Sequence, residues 1–295
     1  MKTIQAIVIA LLAICSAGAR EISPMLFGQN YWLSDEAEDR VGYLHLLWPQ
    51  VEESGVSLIR IGGNGYNVEP MSLAHWTSMV DSVQAIGVEP LVQVPYTFSA
   101  EEASAFVKHF NREGRKAVKY WSIGNEPMLH DEHTVEEVHA YLQRIAPAMR
   151  AADPSITILI SDEAWLREPV YAALCGGDLD MTGRDAEGRW LVDGFSFHSY
   201  PNGVEYDRED VVHGSAAAIR RDVQKLVALM EAADAKHGRT GENRLVWALT
   251  EVNVTYANPN RDVEGVGNPS FLGWRVGGGY WLGQDGLGFG AAAVQ

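Results

Sequence analysis

Short apolar runs rich in β-branched and aromatic residues recur along the chain: "MLFGQNYW" from residue 25, "VSLIRIGG" from 56, "VEPLVQVPY" from 88, "AVKYWSIGNEP" from 117, "ITILISDEAW" from 156, "LVDGFSFHSYP" from 191 and "RLVWALTEVNV" from 244. They are nearly continuous in hydrophobicity instead of alternating, which is the pattern of strands covered on both faces in a parallel sheet. Segments with apolar residues at helical spacing separate them. "MSLAHWTSMVDSVQAIG" and "SAEEASAFVKHFNREG" both run into a glycine, where a C-cap is expected. Thr134 and Glu137 have the spacing of a capping box opening a further helix, and Ser215 to His237 predicts a long amphipathic one.

Strand-then-helix units in a row belong to the α/β class and leave two architectures, an open doubly wound sheet or a (β/α)8 TIM barrel. An open sheet that binds a nucleotide carries a glycine-rich loop after its first strand, and none is present there. "GGNGYN", after the second strand, lacks the G-x-G-x-x-G spacing. Polar or aromatic groups close nearly every strand instead: Gln29 and Asn30, Arg60 and Asn64, Gln93 and Tyr96, Asn125 and Glu126, Asp162 and Glu163, His198 and Tyr200, Glu251 and Asn253. A barrel collects its active site from such strand ends, so the barrel is the expected fold. Its eighth strand is the weak point. "FGAAAVQ" begins what could be that strand and stops at Gln295, so the barrel is expected to be truncated at or in the eighth strand.

The 295 residues suit one barrel domain, and 46% hydrophobic with 21% charged residues fits a folded globular chain. The opening "MKTIQAIVIALLAICSAGAR" has a lysine, an apolar run and a small-residue Ala17-Gly18-Ala19 ending, the features of a signal peptide covering residues 1–19. The mature chain, residues 20–295, is then expected to be secreted, extracellular or periplasmic. Lipid attachment through Cys15 is an open alternative, although Ile14 is large for the residue before such a site. Removing Lys2 leaves 22 basic against 39 acidic residues from the original 23 and 39, a net charge of about −17 that repels phosphate backbones and excludes nucleic acid as a natural partner. Only Cys175 of the two cysteines remains, so no intrachain disulfide is available. No later stretch is apolar enough for a membrane span, and oligomeric state is not legible.

Two carboxyl groups on non-adjacent strands suit glycosidic cleavage, where one protonates the leaving oxygen and the other attacks or activates water. Glu126 ends the fourth strand and Glu251 the seventh. "WSIGNEP" resembles the Asn-Glu-Pro signature closing the fourth strand in clan A glycoside hydrolases, and "WALTEVN" resembles their seventh strand. The resemblance covers residues 25 to 285 in the order of elements. It implies a retaining (β/α)8 glycosidase with Glu126 as acid/base, Glu251 as nucleophile and Asn125 as donor to the sugar 2-hydroxyl. It further implies that Arg60 supports the nucleophile and that His198 and Tyr200 line the site. Arg60 is expected to keep Glu251 ionised, while burial and a neighbouring anion keep a proton on Glu126.

The partner so implied is a polysaccharide or oligosaccharide of unspecified sugar and linkage, with no cofactor and no metal at the site. Asn30, Trp32, Tyr96 and Trp165, with Tyr31, stand at strand ends where rings and amides can meet a sugar. A carbohydrate-binding barrel without catalysis and a metal-dependent hydrolase are the other readings. Only His198 holds a strand-end position that would serve the latter. Asp178 and Asp180 have the spacing of half a calcium loop, but Arg189 stands where a closing glutamate belongs. "HDEH", His130 to His133, is expected to be a polar loop near the acid/base strand, and Asn253-Val254-Thr255 is a glycosylation sequon by pattern.

Overall fold

A computed structural model describes residues 23–31, 48–68, 71–130, 132–201, 208–252 and 286–288. Its elements alternate: β1 (Phe27–Asn30), α1 (Trp48–Glu53), β2 (Leu58–Ile61), α2 (Gly65–Val68), α3 (Leu73–Ala85), β3 (Glu89–Val94), α4 (Ala100–Phe110), β4 (Tyr120–Ile123), α5 (Pro127–His130), α6 (Val135–Ala152), β5 (Thr157–Glu163), α7 (Glu168–Leu174), β6 (Gly194–Ser199), α8 (Arg208–His237), β7 (Val246–Val252) and β8 (Gly286–Gly288). Strands β1 to β7 pair in sequence order, all parallel, and the ring closes through β8.

The closing strand differs from the expected one. It is a three-residue segment at Gly286–Gly288, earlier than "FGAAAVQ", and it runs antiparallel to both β1 and β7. The barrel is thus seven parallel strands with a short closing strand, a (β/α)8 architecture cut down at its eighth unit. Residues 289–295 lie outside the described residues.

Period-two alternation sorts the strand residues into two cores. Outward-facing Ile59, Val92, Trp121, Ile158, Phe195 and their neighbours pack under the helices, against residues such as Trp76, Phe106 and Ile145. Inward-facing Leu58, Leu91, Leu159 and Ala248 form a smaller apolar layer inside the barrel. Two residues further along the same inner faces the sequence turns polar, giving Arg60, Gln93, Ser161 and Thr250, all buried. These four strands, β2, β3, β5 and β7, therefore carry an apolar floor and a polar top, which raises the chemistry to the carboxyl end. Gly194 lets β6 approach β7, since a Cβ there would stand 2.1 Å from the Val246 carbonyl oxygen.

The helices follow their local signals. Ser72 caps α3, whose chain turns away through Gly87 at φ +77°. Thr134 and Glu137 form the expected reciprocal capping box at α6, and Ser99 with Glu102 forms a second one at α4. Helix α4 ends at Phe110, short of the expected Gly114. Asn111 stops it, because its side chain bonds both the amide and the carbonyl of Val118 and ties the helix end to the approach of β4. Helix α8 begins earlier than Ser215, at Arg208. Among the described residues no helix is long and apolar enough to cross a membrane.

Candidate active site

Two bulges shape the polar top of the barrel. Ser161 of β5 pairs with Ser196 of β6, but the next partner of Phe197 is Glu163, so Asp162 is an extra residue. On the other side of β6, Leu249 pairs with Phe197 and Glu251 with His198, so Thr250 is extra in β7. Each insertion breaks the strict alternation and brings a side chain inward that would otherwise point out. The two extra residues meet inside the barrel, where the Thr250 hydroxyl bonds Asp162 Oδ1. Ser161 and Asp162 have left-handed backbones at φ +85° and +41°, as does Glu126 at +45°. The Glu126 amide donates to the Asp162 carbonyl at 2.9 Å, so the strained segments support each other.

Arg60 is the hub. Its Nη1 donates to Glu251 Oε1 at 2.8 Å and to Asn30 Oδ1 at 3.4 Å. Its Nη2 donates to Asn125 Oδ1 at 2.7 Å, Asp162 Oδ2 at 3.0 Å and Gln93 Oε1 at 3.4 Å. Burial works against the guanidinium charge, but Asp162 and Glu251 outweigh it and hold Arg60 charged, above its ordinary value. Gly62 makes room for this group, because a Cβ there would lie 2.8 Å from Gln93 Oε1 and 2.9 Å from Arg60 Nε. The adjoining Gly63 amide donates to Gln93 Oε1 at 2.7 Å and Asn67 donates to the Asn125 carbonyl at 3.1 Å. The "GGNGYN" turn is packing around the arginine and its neighbours.

His198 Nδ1 lies 2.6 Å from Glu126 Oε1 and 3.6 Å from Glu251 Oε2, and the Tyr200 hydroxyl donates to Glu251 Oε2 at 2.6 Å. Burial lowers the His198 pKa, but Glu251, Glu126 and Asp162 outweigh it and raise it to about 8. Glu126, His198 and Glu251 each present one donor atom within 4.8 Å of the others, a grouping able to bind a metal ion. Here each of those residues already bonds a neighbouring side chain, and a dication would stand beside the Arg60 guanidinium.

Of the residues singled out from sequence, Glu126, Glu251, Asn125, Arg60, His198, Tyr200 and Asn30 come together. Asn30 is committed within the network, since its Nδ2 donates to the Thr250 carbonyl at 3.0 Å. Tyr96 is half-buried, its ring 4.1 Å from that of Tyr141 and 4.8 Å from that of His133 in the "HDEH" loop. Tyr31 is core, edge-on to Trp48. Trp165 is 49% exposed, with the Arg167 guanidinium 4.0 Å from its ring centre. Trp32 and Asn253 lie outside the described residues. Asp162, Gln93, Asn67 and Thr250 belong to the network without having been singled out for the site; strand-end position was the available signal for the first two. Asp180 accepts from Lys236 Nζ at 2.8 Å, bonds His237 Nε2 at 2.6 Å and accepts from Thr182, so side chains of the protein, the Lys236 ammonium among them, occupy its oxygens in the half-loop that resembled a calcium site. The Cys175 thiol is buried, and its pKa is pushed up to about 12.

No family profile matches the sequence, and no curated protein matches it. Solved structures do match. A family 51 α-L-arabinofuranosidase from Bifidobacterium longum superposes with a TM-score of 0.59 at 16% identity, covering 80% of this chain and 56% of that one. The family 51 arabinofuranosidase from Xanthomonas axonopodis pv. citri gives 0.59 at 15%, covering 83% and 60%. A monomeric β-xylosidase from Caulobacter crescentus CB15 gives 0.55 at 20%, covering 79% and 53%. At these identities the likeness is one of fold, and the chain spans less than two thirds of each of these proteins.

Proposed function

We propose that the protein is a retaining glycoside hydrolase in which Glu251 attacks the anomeric carbon and Glu126 serves as acid and then base. The observation that carries this reading is the meeting of the two glutamates: donor atoms of Glu126, His198 and Glu251 lie within 4.8 Å of one another. Double displacement needs carboxyl groups about 5–5.5 Å apart, whereas an inverting pair leaves about 6.5–9.5 Å for a water. Arg60 and Tyr200 each hold one oxygen of Glu251, which fixes the orientation of the carboxyl group. His198 shares a proton with Glu126, the proton that the leaving oxygen takes. Asn125, held through its Oδ1 by Arg60, keeps its amide nitrogen for a sugar hydroxyl.

The substrate is a carbohydrate. α-L-Arabinofuranosides and β-D-xylosides are the first to try, since fold relatives are named for acting on them. The leader-like opening supports export, which amino-terminal sequencing of the natural product would test by finding Arg20 first.

The deciding experiment uses 4-nitrophenyl glycosides of these sugars and a polysaccharide panel. Glu251→Gly is expected to lose turnover and to regain it with azide, giving a glycosyl azide of inverted configuration. Glu126→Ala is expected to retain turnover of activated aryl glycosides and to give the retained azide. Undiminished hydrolysis by Glu251→Gly would end the proposal.

A further inference from the structure

Arg60 is wholly buried and holds its two carboxylates on different nitrogens, Glu251 on Nη1 and Asp162 on Nη2. Its other side-chain partners, Asn30, Gln93 and Asn125, are neutral. The proposed double displacement, on which this inference rests, changes one of the two carboxylates. A Glu251 oxygen bonds to the anomeric carbon as the bond to the leaving oxygen breaks, and the proton from Glu126 goes to that oxygen. Glu251 is then a neutral ester. A buried guanidinium that loses its counter-charge is strongly destabilising.

We propose that Asp162 is the counter-ion that keeps Arg60 compensated while Glu251 is esterified, a positioning residue that acts through the arginine and makes the covalent stage accessible. Its setting is built for permanence. Asp162 is fully buried, whereas the Glu251 side chain is 17% exposed. The β5 bulge and the left-handed backbone at Asp162 aim it inward, and Thr250, the extra residue of the β7 bulge, holds its other oxygen. Burial raises the Asp162 pKa, but Arg60, His198 and the hydroxyls of Thr250 and Ser196 outweigh it, so the carboxylate stays charged. His198 Nε2 stands 3.9 Å from Oδ1 and faces Glu126 and Glu251 through Nδ1, so it is not a substitute anion for Arg60.

Glu251→Gln reproduces the neutral charge of the ester stage without any sugar, and this permits a test independent of turnover. Thermal midpoints are measured for the wild type, Asp162→Asn, Glu251→Gln, the double variant, and the double variant with Arg60→Met. Each single variant leaves Arg60 one anion; the double leaves none. The double is expected to lose about 10 °C beyond the sum of the single losses, or to fail to fold, and Arg60→Met is expected to restore it. Additive losses, or a triple variant no more stable than the double, would overturn the proposal. In parallel, intact mass after incubation with 2,4-dinitrophenyl 2-deoxy-2-fluoro-β-D-xyloside and the matching glucoside is expected to show an adduct on Glu251 of the wild type, formed at least tenfold more slowly in Asp162→Asn. Equal rates would overturn the counter-ion role in catalysis, whereas no adduct alongside a non-additive cycle would remove β-xylosides and β-glucosides from the candidate substrates and leave the pairing of Asp162 with Arg60 standing.

Discussion

One imidazole serves both glutamates: His198 Nδ1 is 2.6 Å from Glu126 Oε1 and 3.6 Å from Glu251 Oε2. It comes from β6, and each strand beside β6 carries one inserted residue in the register. The insertion in β7 turns Glu251 inward to meet it. The insertion in β5 brings the Asp162 carbonyl to the Glu126 amide. The separation of Glu126 from Glu251 is therefore governed by strand register on both sides of the histidine.

The His198 pKa gives the first prediction. In the unfolded chain the imidazole titrates near 6.5, and in the folded protein near 8, because the surrounding carboxylates outweigh burial. A raised value means that its contribution to stability is complete below pH 6.5 and is lost as pH climbs through 8. The wild type is expected to lose about 2 kcal/mol over that window, and His198→Gln to lose this slope, when unfolding by denaturant is followed from pH 6 to 9.

Tyr200 bears on rate instead. Its hydroxyl holds Glu251 Oε2 at 2.6 Å, and a hydrogen bond to a charged group is worth about 1.5–3 kcal/mol. Tyr200→Phe keeps the ring and removes the donor. A fall in kcat of about 10- to 100-fold is expected, with KM little changed, in steady-state assays on an aryl glycoside.

Glu163 is predicted to act on stability in a different window. It is wholly buried with neither carboxylate oxygen hydrogen bonded, and Arg167 Nε is 3.6 Å away. Burial outweighs Arg167 and His198 and raises its pKa from 4.5 to about 7. The folded state thus prefers the protonated acid, and this stabilisation is full below pH 4.5 and lost as pH rises through 7. Glu163→Gln is expected to remove a decline of up to about 3 kcal/mol between those limits, so the variant should be the more stable protein at pH 8 in a denaturant titration.

The strands and most helices were legible because hydrophobic period is a local property, and Leu58 to Arg60 or Leu91 to Gln93 shows the floor-to-top change directly in the string. Glu126, Glu251 and Arg60 stood out by their strand-end positions. What could not be read was the effect of an inserted residue: in "ISDE" and "LTEV" nothing local says that Asp162 and Thr250 are surplus to the pairing, because surplus is defined only against the neighbouring strand β6. The place of Asp162 under Arg60 follows from that register and so stayed hidden. Ring exposure failed for the same reason. Tyr96 and Trp165 look alike as strand-end aromatics, yet Tyr141 and His133 stack on the first while the second stands open.

That openness makes Trp165 the ring to test for sugar contact. It follows β5 at the carboxyl end of the barrel and is 49% exposed, with Arg167 steadying the indole from 4.0 Å. An aromatic ring lying against a sugar contributes about 0.5–1.5 kcal/mol beyond area burial, and a contact remote from the reacting carbon acts equally on substrate and transition state. Trp165→Ala is therefore expected to raise KM by about 2- to 12-fold at unchanged kcat on a polysaccharide. Because the ring is exposed, its removal should cost the fold little, so an unchanged melting curve would separate lost binding from lost structure. A fall in kcat with KM preserved would instead assign Trp165 to the reacting end of the pocket.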